Sequence, residues 1–283
     1  MKVLVTGAKG QLGYDVVRFL KKQEMEFSGL GIDDLDVTDL DATARLIRSY
    51  LPDTIIHCAA YTDVDRAESE VEKCRAINVD STANIASLCN EINAKLVYIS
   101  TDYVFPGEGS IPHEVNSNVG PISVYGQSKL DGERAVLEEL DKHFIIRTSW
   151  AFGSNGNNFV KTMLKLSREF DAVNVVSDQV GSPTYTYDLA QLIVEMLKTE
   201  KYGIYHATNE GYCSWAEFAT EIFNQAGKKA RVNFIQSEQY QTKATRPKNS
   251  MLSKLSLDLA GFNRLPDWKD ALNRYLKTIK LKD

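Results

Sequence analysis

Lys2-Val3-Leu4-Val5-Thr6-Gly7-Ala8-Lys9-Gly10-Gln11-Leu12-Gly13 follows the initial residue of the chain. A β-branched and aliphatic run that ends in closely spaced glycines and passes into helical periodicity reads as strand, turn and helix. Such a turn presents free backbone N–H groups and the positive end of a helix, a good seat for a pair of phosphates. Gly7, Gly10 and Gly13 stand three and three apart, not the two and three of the common dinucleotide fingerprint, but the order of strand, glycines and helix is the same.

Downstream the pattern repeats. Residues 26–30, 54–58, 95–100 and 144–148 are short runs of strand type, and residues 11–22, 41–50, 71–92 and 124–140 carry apolar positions at three- and four-residue spacing. Strands alternating with helices predict an α/β fold, a Rossmann-type doubly wound parallel sheet covered on both faces. After Trp150 the alternation loosens. A helix is expected from Asn155-Gly156-Asn157-Asn158 through about residue 168, a strand at 173–176, and a helix at 186–198 with Leu189, Leu192, Ile193 and Met196 inward. Short strands at 204–207 and 231–235 and helices at 214–225 and 267–278 complete the reading. With no linker in view, the expected division interleaves two units: 1–150 plus about 172–210 for the dinucleotide, and about 151–171 plus 211–283, a smaller C-terminal unit, for a substrate.

Composition narrows the partners. At 283 residues and 43% hydrophobic the chain can build a large core. A net charge of -5, with acids and bases intermixed, argues against nucleic acid and against an anionic membrane. No run approaches a transmembrane span, and the first residues enter the fold without a leader-like apolar stretch, so a cytoplasmic location is expected. Cys58, Cys74, Cys89 and Cys213 lack metal-ligand spacing, which fits a reducing compartment and gives no metal site.

The chemistry-bearing residues lie where strands end. Tyr125 and Lys129 in Val124-Tyr-Gly-Gln-Ser-Lys-Leu130 are four apart on a helix, so they share a face. A neighbouring ammonium is expected to draw the phenol's pKa down from about 10, toward a range where it can give or take a proton. Ser100-Thr101-Asp102-Tyr103 ends the fourth strand, and Thr101 can hydrogen-bond a carbonyl that Tyr125 protonates. His57-Cys-Ala-Ala-Tyr-Thr62 ends the third strand in small residues, including Ala59 and Ala60, where a ligand can approach the backbone. Asp36 and Val37 follow the second strand: the carboxylate accepts from an adenine amine, or belongs to the N-cap region of the next helix. Trp150 is either core or a stacking platform. Arg246-Pro-Lys-Asn-Ser250 is the compact cationic and amide cluster of the last third, suited to a diphosphate.

These stretches, with Leu35-Asp-Val-Thr-Asp39, Arg147-Thr-Ser-Trp-Ala-Phe-Gly153, Asn158-Phe-Val-Lys-Thr-Met-Leu164 and Asp178-Gln-Val-Gly-Ser-Pro-Thr184, resemble the extended short-chain dehydrogenase/reductase superfamily. Within it they resemble the dTDP-4-dehydrorhamnose reductase family, over nearly the whole chain. The resemblance implies Thr101, Tyr125 and Lys129 as the catalytic set. Tyr125 gives a proton to the C4 oxygen, and Lys129 holds the nicotinamide ribose. It implies reduction of dTDP-6-deoxy-L-lyxo-4-hexulose to dTDP-L-rhamnose by NADPH or NADH. Gly7, Lys9, Gly10, Gln11, Leu12, Gly13, Asp36, Val37, Ala59, Ala60, Tyr61 and Ser100 then fall to the cofactor, together with Tyr125 and Lys129. Thr62, Val64, Thr101, Asp102, Tyr103, Trp150 and Arg246 fall to the dTDP-keto-sugar substrate. Relatives often carry Arg after the second strand, whereas this chain has Ile32-Asp33-Asp34; with Lys9 near a 2′-phosphate, use of either nicotinamide with modest discrimination is expected. Some relatives dimerise through Mg²⁺ on acidic terminal helices, but Lys277-Thr-Ile-Lys-Leu-Lys-Asp283 is mostly basic, so no metal is assigned and either monomer or homodimer is allowed. The alternatives are another nucleotide-sugar reductase, epimerase or dehydratase of the superfamily, or a non-catalytic regulatory subunit like that of methionine adenosyltransferase. Asp102-Tyr103, where a dehydratase carries Asp-Glu, weighs against the dehydratase.

Overall fold

Six parallel strands form the central sheet: β1 (Lys2–Thr6), β2 (Glu26–Leu30), β3 (Thr54–His57), β4 (Lys95–Thr101), β5 (His143–Thr148) and β6 (Gly203–His206), in the spatial order β6-β5-β4-β3-β1-β2. The structure, a computed structural model, describes residues 1–280. Alternation along the strands sends side chains to opposite faces. Val3, Val5, Ile56, Val97, Phe144 and Ile146 face one layer, where Val16, Phe19 and Leu20 of the helix Gln11–Lys22 meet Leu189, Leu192, Ile193 and Met196 of the helix Thr186–Leu197. Leu4, Ile55, Leu96, Tyr98 and Ile145 face the other layer, filled by Ile47, Ile85, Leu88 and Val136. Burial on both sides is what lets these strands read as continuous apolar runs. Chain order reverses between β1 and β3, and a doubly wound sheet opens a crevice at such a switch, beyond the carboxyl ends of its strands.

A second core gathers Phe152, Val160, Met163, Phe218, Ile222, Trp268 and Tyr275 from the later part of the chain. Here the expected division meets an exception. The strand Ala172–Val176, placed with the dinucleotide unit, pairs in parallel with Arg231–Ile235 and sends Val173 and Val175 into the second core. Conversely Leu257 and Leu265 return to the first core. Short strands carry no address of their own, so their partner is decided by packing.

The helix expected over 71–92 is helical throughout but not uniform. It runs Val71–Arg75, a π-helical segment Ala76–Asp80, then Ser81–Glu91. The extra residue per turn sets Asn78 against two other elements: its amide bonds both backbone groups of Tyr61, at 2.8 and 3.1 Å, and Ser128 Oγ at 2.9 Å. The loop after β3 is thereby tied to the helix Val124–Glu139. No helix among the described residues is long and apolar enough to cross a membrane.

Candidate active site

A cleft of about 540 Å³ opens at the carboxyl edge of the sheet. Gly10, Gln11 and Leu12 enter it from the glycine loop, Ala60, Thr62 and Val64 from beyond β3, and Ser100 to Tyr103 from β4. Tyr125 and Lys129 come from the helix Val124–Glu139, and Trp150 from beyond β5.

The glycine loop is shaped by close contact. Gly7 has φ +65°, and a Cβ there would lie 2.5 Å from Ala59 N; one on Gly13 would lie 2.3 Å from Gly7 O. No side chain caps the helix that Gly10 opens, so its first amides remain available to an anion. This cradle fits a dinucleotide diphosphate. Gln11 donates to Ala151 O at 3.1 Å and accepts from Asn158 at 3.0 Å, bridging to the segment after β5.

Ser123 caps the helix Val124–Glu139 by accepting from Gly126 N, which sets Tyr125 in the first turn. Gly126 is needed there, since a Cβ would meet Tyr103 O at 2.3 Å. The Tyr125 phenol hydrogen-bonds Thr101, and burial, the dominant influence, pushes its pKa well above the usual value. This corrects one expectation. Lys129 stands one turn on, but the phenol is not brought down, because desolvation of the phenolate dominates. Lys129 is itself buried, its Nζ 4.0 Å from the centre of the Tyr98 ring, and burial draws its pKa down to about 7 against the opposing pull of Glu133. The site thus holds a protonated phenol beside an ammonium that titrates near neutrality.

Thr101 donates to Asp102 Oδ1 at 2.9 Å and accepts from Tyr103 N at 3.2 Å. A hydroxyl has one proton, so Thr101 orients a carbonyl only by exchanging that bond. Asp102 is buried, and burial raises its pKa to about 6, moderated by hydrogen bonds from Ser250 and Thr101. Ser100 donates to Glu133, and Glu133 makes a bidentate pair with Arg147 at 2.9 and 2.7 Å, both nearly inaccessible to solvent. A buried forked pair of this kind locks the ends of β4 and β5 to the helix Val124–Glu139.

Other expected residues fall differently. Asp36 is exposed, and its Oδ1 accepts from Thr38 N and Oγ1, while Asp39 caps the next helix through Ala42 N. Asp36 is therefore an Asx turn, not the cap. Val37 is buried. Tyr61 turns its ring toward Ala67 and Cys74, with its hydroxyl on Glu70 at 3.1 Å. Arg246 stands behind Tyr103, donating to its hydroxyl at 3.2 Å and paired with Asp65 at 2.6 Å. Trp150 has φ +49°, unusual for a bulky residue, and stacks on Trp215 with ring centres 3.7 Å apart. Trp215, Asn157, Ser149 and Thr148 also line the cleft and were not foreseen. Glu133, four residues beyond Lys129, could have been found by helical spacing; Trp215 had no local signal. Among the described residues no group of three or more His, Cys, Asp or Glu could hold a metal, and 281–283 of the basic tail lie outside them.

A parallel sheet with a glycine-loop cradle and a Thr-Tyr-Lys set at its carboxyl edge defines a nucleotide-dependent enzyme of the short-chain dehydrogenase/reductase type. The chain belongs to the RmlD substrate binding domain family, whose model matches residues 1–281. The spore coat polysaccharide biosynthesis protein SpsK of Bacillus subtilis (strain 168) is 41% identical over 276 residues, 98% of this chain and 97% of its own. The crystal structure of dTDP-4-dehydrorhamnose reductase from Bacillus anthracis str. Ames in complex with NADP is 42% identical with a TM-score of 0.96, covering 98% of this chain and 99% of its own. That of a dTDP-4-dehydrorhamnose reductase from Clostridium acetobutylicum ATCC 824 is 39% identical with a TM-score of 0.97, covering 99% and 100%.

Proposed function

We propose that this chain is an NAD(P)H-dependent reductase that converts the C4 ketone of dTDP-6-deoxy-L-lyxo-4-hexulose to the alcohol of dTDP-L-rhamnose. The observation that carries the reading is the convergence of Thr101, Tyr125 and Lys129 in one cleft beside an uncapped glycine-loop helix. Dehydrorhamnose reductases of about 40% identity over nearly their full length support it.

Bound reduced nicotinamide would supply the hydride to C4. The chain's own residues do the rest. The sheet-bearing unit holds the dinucleotide through Gly7, Gly10, Gln11, Leu12 and Gly13, with Ala59, Ala60 and Ser100 leaving room beside it. Tyr125, kept protonated by burial, gives its proton to the oxygen at C4 as negative charge develops there. Thr101 turns from Asp102 to the same oxygen. Lys129 in its charged form holds the ribose and stabilises the phenolate left after transfer. Thr62, Val64, Asp102, Tyr103 and Trp150 enclose the sugar, and Arg246 meets the diphosphate. The enzyme acts in the cytoplasm as a monomer or homodimer.

The test is a coupled assay. dTDP-6-deoxy-L-lyxo-4-hexulose is generated from dTDP-glucose, and nicotinamide absorbance is followed with and without the purified chain. Loss of absorbance and appearance of dTDP-L-rhamnose are expected. Tight sugar-nucleotide binding without turnover would instead favour a regulatory binding module.

A further inference from the structure

We propose that Lys9, Asp33 and Asp34 form a charge clamp that sets the cofactor preference of this chain, admitting NADH ahead of NADPH. The inference rests on the dinucleotide reading above and adds the discrimination that sequence spacing left open. Lys9 Nζ lies 3.0 Å from Asp33 Oδ2 and 3.3 Å from Asp34 Oδ2. Its stem crosses Gly31 so closely that a Cβ there would come within 2.5 Å of Lys9 Cδ. Asp34 is fixed in turn by Gly31 N, which donates to its Oδ2 at 2.9 Å. The glycine loop and the end of β2 are thus joined through charge.

In doubly wound dinucleotide sites the side chains just beyond the second strand meet the adenosine ribose, where a carboxylate suits a 2′-hydroxyl and a cation suits a 2′-phosphate. A phosphate monoester carries about -1.5 to -2 charges at neutral pH. Lys9 already serves two carboxylates, and the three side chains together sum to a charge of -1. Lys9 is the cation that lowers the pKa of Asp34, after the hydrogen bond from Gly31; the nearby Lys73 acts on Asp36 instead. For a 2′-phosphate to take Lys9, both aspartates must lose their partner and stay beside a second anion. A 2′-hydroxyl meets no such conflict, because it donates to a carboxylate and leaves the ion pairs standing.

The test is direct titration of the full chain with NADH and with NADPH, by calorimetry or protein fluorescence, without sugar nucleotide. NADH is expected to bind about tenfold more tightly, a difference of about 1.4 kcal/mol, and the gap should narrow in high salt because the discrimination is ionic. Asp33→Asn is expected to narrow the ratio by raising NADPH affinity several-fold. Its side chain is 78% exposed, so the fold should tolerate the change. Lys9→Ala should widen the ratio. Equal or tighter NADPH binding by the wild type, or an unchanged ratio in Asp33→Asn, overturns the clamp while leaving the dinucleotide site standing. Failure of both nucleotides to bind overturns the site, and the clamp with it.

Discussion

The two walls of the cleft are built on opposite electrostatic plans. On the sheet wall, Lys129 and Asp102 are buried and Tyr125 is half-buried, each is joined to hydroxyls or an aromatic face, and desolvation moves each of their pKa values toward the neutral form. On the outer wall, one layer behind the cleft-lining Tyr103, Arg246 is about a quarter exposed and keeps its charge against Asp65. A phenol held in its protonated form beside groups drawn toward neutrality is suited to giving up a proton to a developing oxyanion. A permanently charged, partly hydrated fork is suited to gripping an anion. Chemistry and binding are therefore expected to separate by wall.

The largest effect should come from the sheet wall. Tyr125→Phe removes the proposed proton donor and keeps the ring, so kcat is expected to fall by about 10² to 10⁴ while nicotinamide affinity, read by titration, stays near wild type. Near-normal turnover would erase the distinction between the walls.

Next comes the outer wall. Arg246→Ala should weaken dTDP binding about ten- to a hundredfold, equivalent to about 1.5–3 kcal/mol for a charge-assisted contact, with nicotinamide affinity intact. Calorimetry with dTDP at fixed salt measures it, and Arg246→Lys should recover part. Because Arg246 is already paired with Asp65, the diphosphate has to compete for it. Equal affinity in all three proteins would remove Arg246 from the site.

How far these walls could be seen in advance differs in the same way. The sheet wall depends on local rules: a strand running into glycines, a four-residue helical spacing, hydroxyls at a strand end. Such rules are written within a few neighbours, and Gly10, Thr101, Tyr125 and Lys129 do meet in one cleft. The outer wall depends on partners far apart in the chain. Arg246 finds Asp65 across 181 residues, Trp150 finds Trp215, and Ala172–Val176 finds Arg231–Ile235. No spacing encodes those pairings. Even on the sheet wall the four-residue spacing alone gives the wrong sign for the Tyr125 shift, because burial cannot be weighed against a neighbouring charge until the surroundings are known.

A smaller effect sharpens the contrast through stability. The folded pKa of Lys129, about 7, lies below its ordinary value of 10.5. Between those values the unfolded chain holds a proton that the folded chain has released, so this group's contribution to stability rises with pH through that window and is lost as pH falls to about 7. Lys129→Met should therefore melt higher than wild type by several degrees at pH 6.5, with the gap closing toward pH 10. It should also lose rate and cofactor affinity. In the wild type, kcat/KM should decline as pH rises above about 7 and the ammonium is lost. A melting gap independent of pH would mean that Lys129 is not a buried titrating group.

The most direct measurement follows the hydrogen itself. The purified chain is given dTDP-6-deoxy-L-lyxo-4-hexulose and nicotinamide deuterated at its reactive carbon, and the product sugar is read by NMR and mass spectrometry. One deuterium on C4 of dTDP-L-rhamnose is expected, with the C4 hydroxyl proton exchanging freely with solvent. A product without deuterium at C4, or a sugar nucleotide recovered unreduced with its cofactor unspent, would contradict the account.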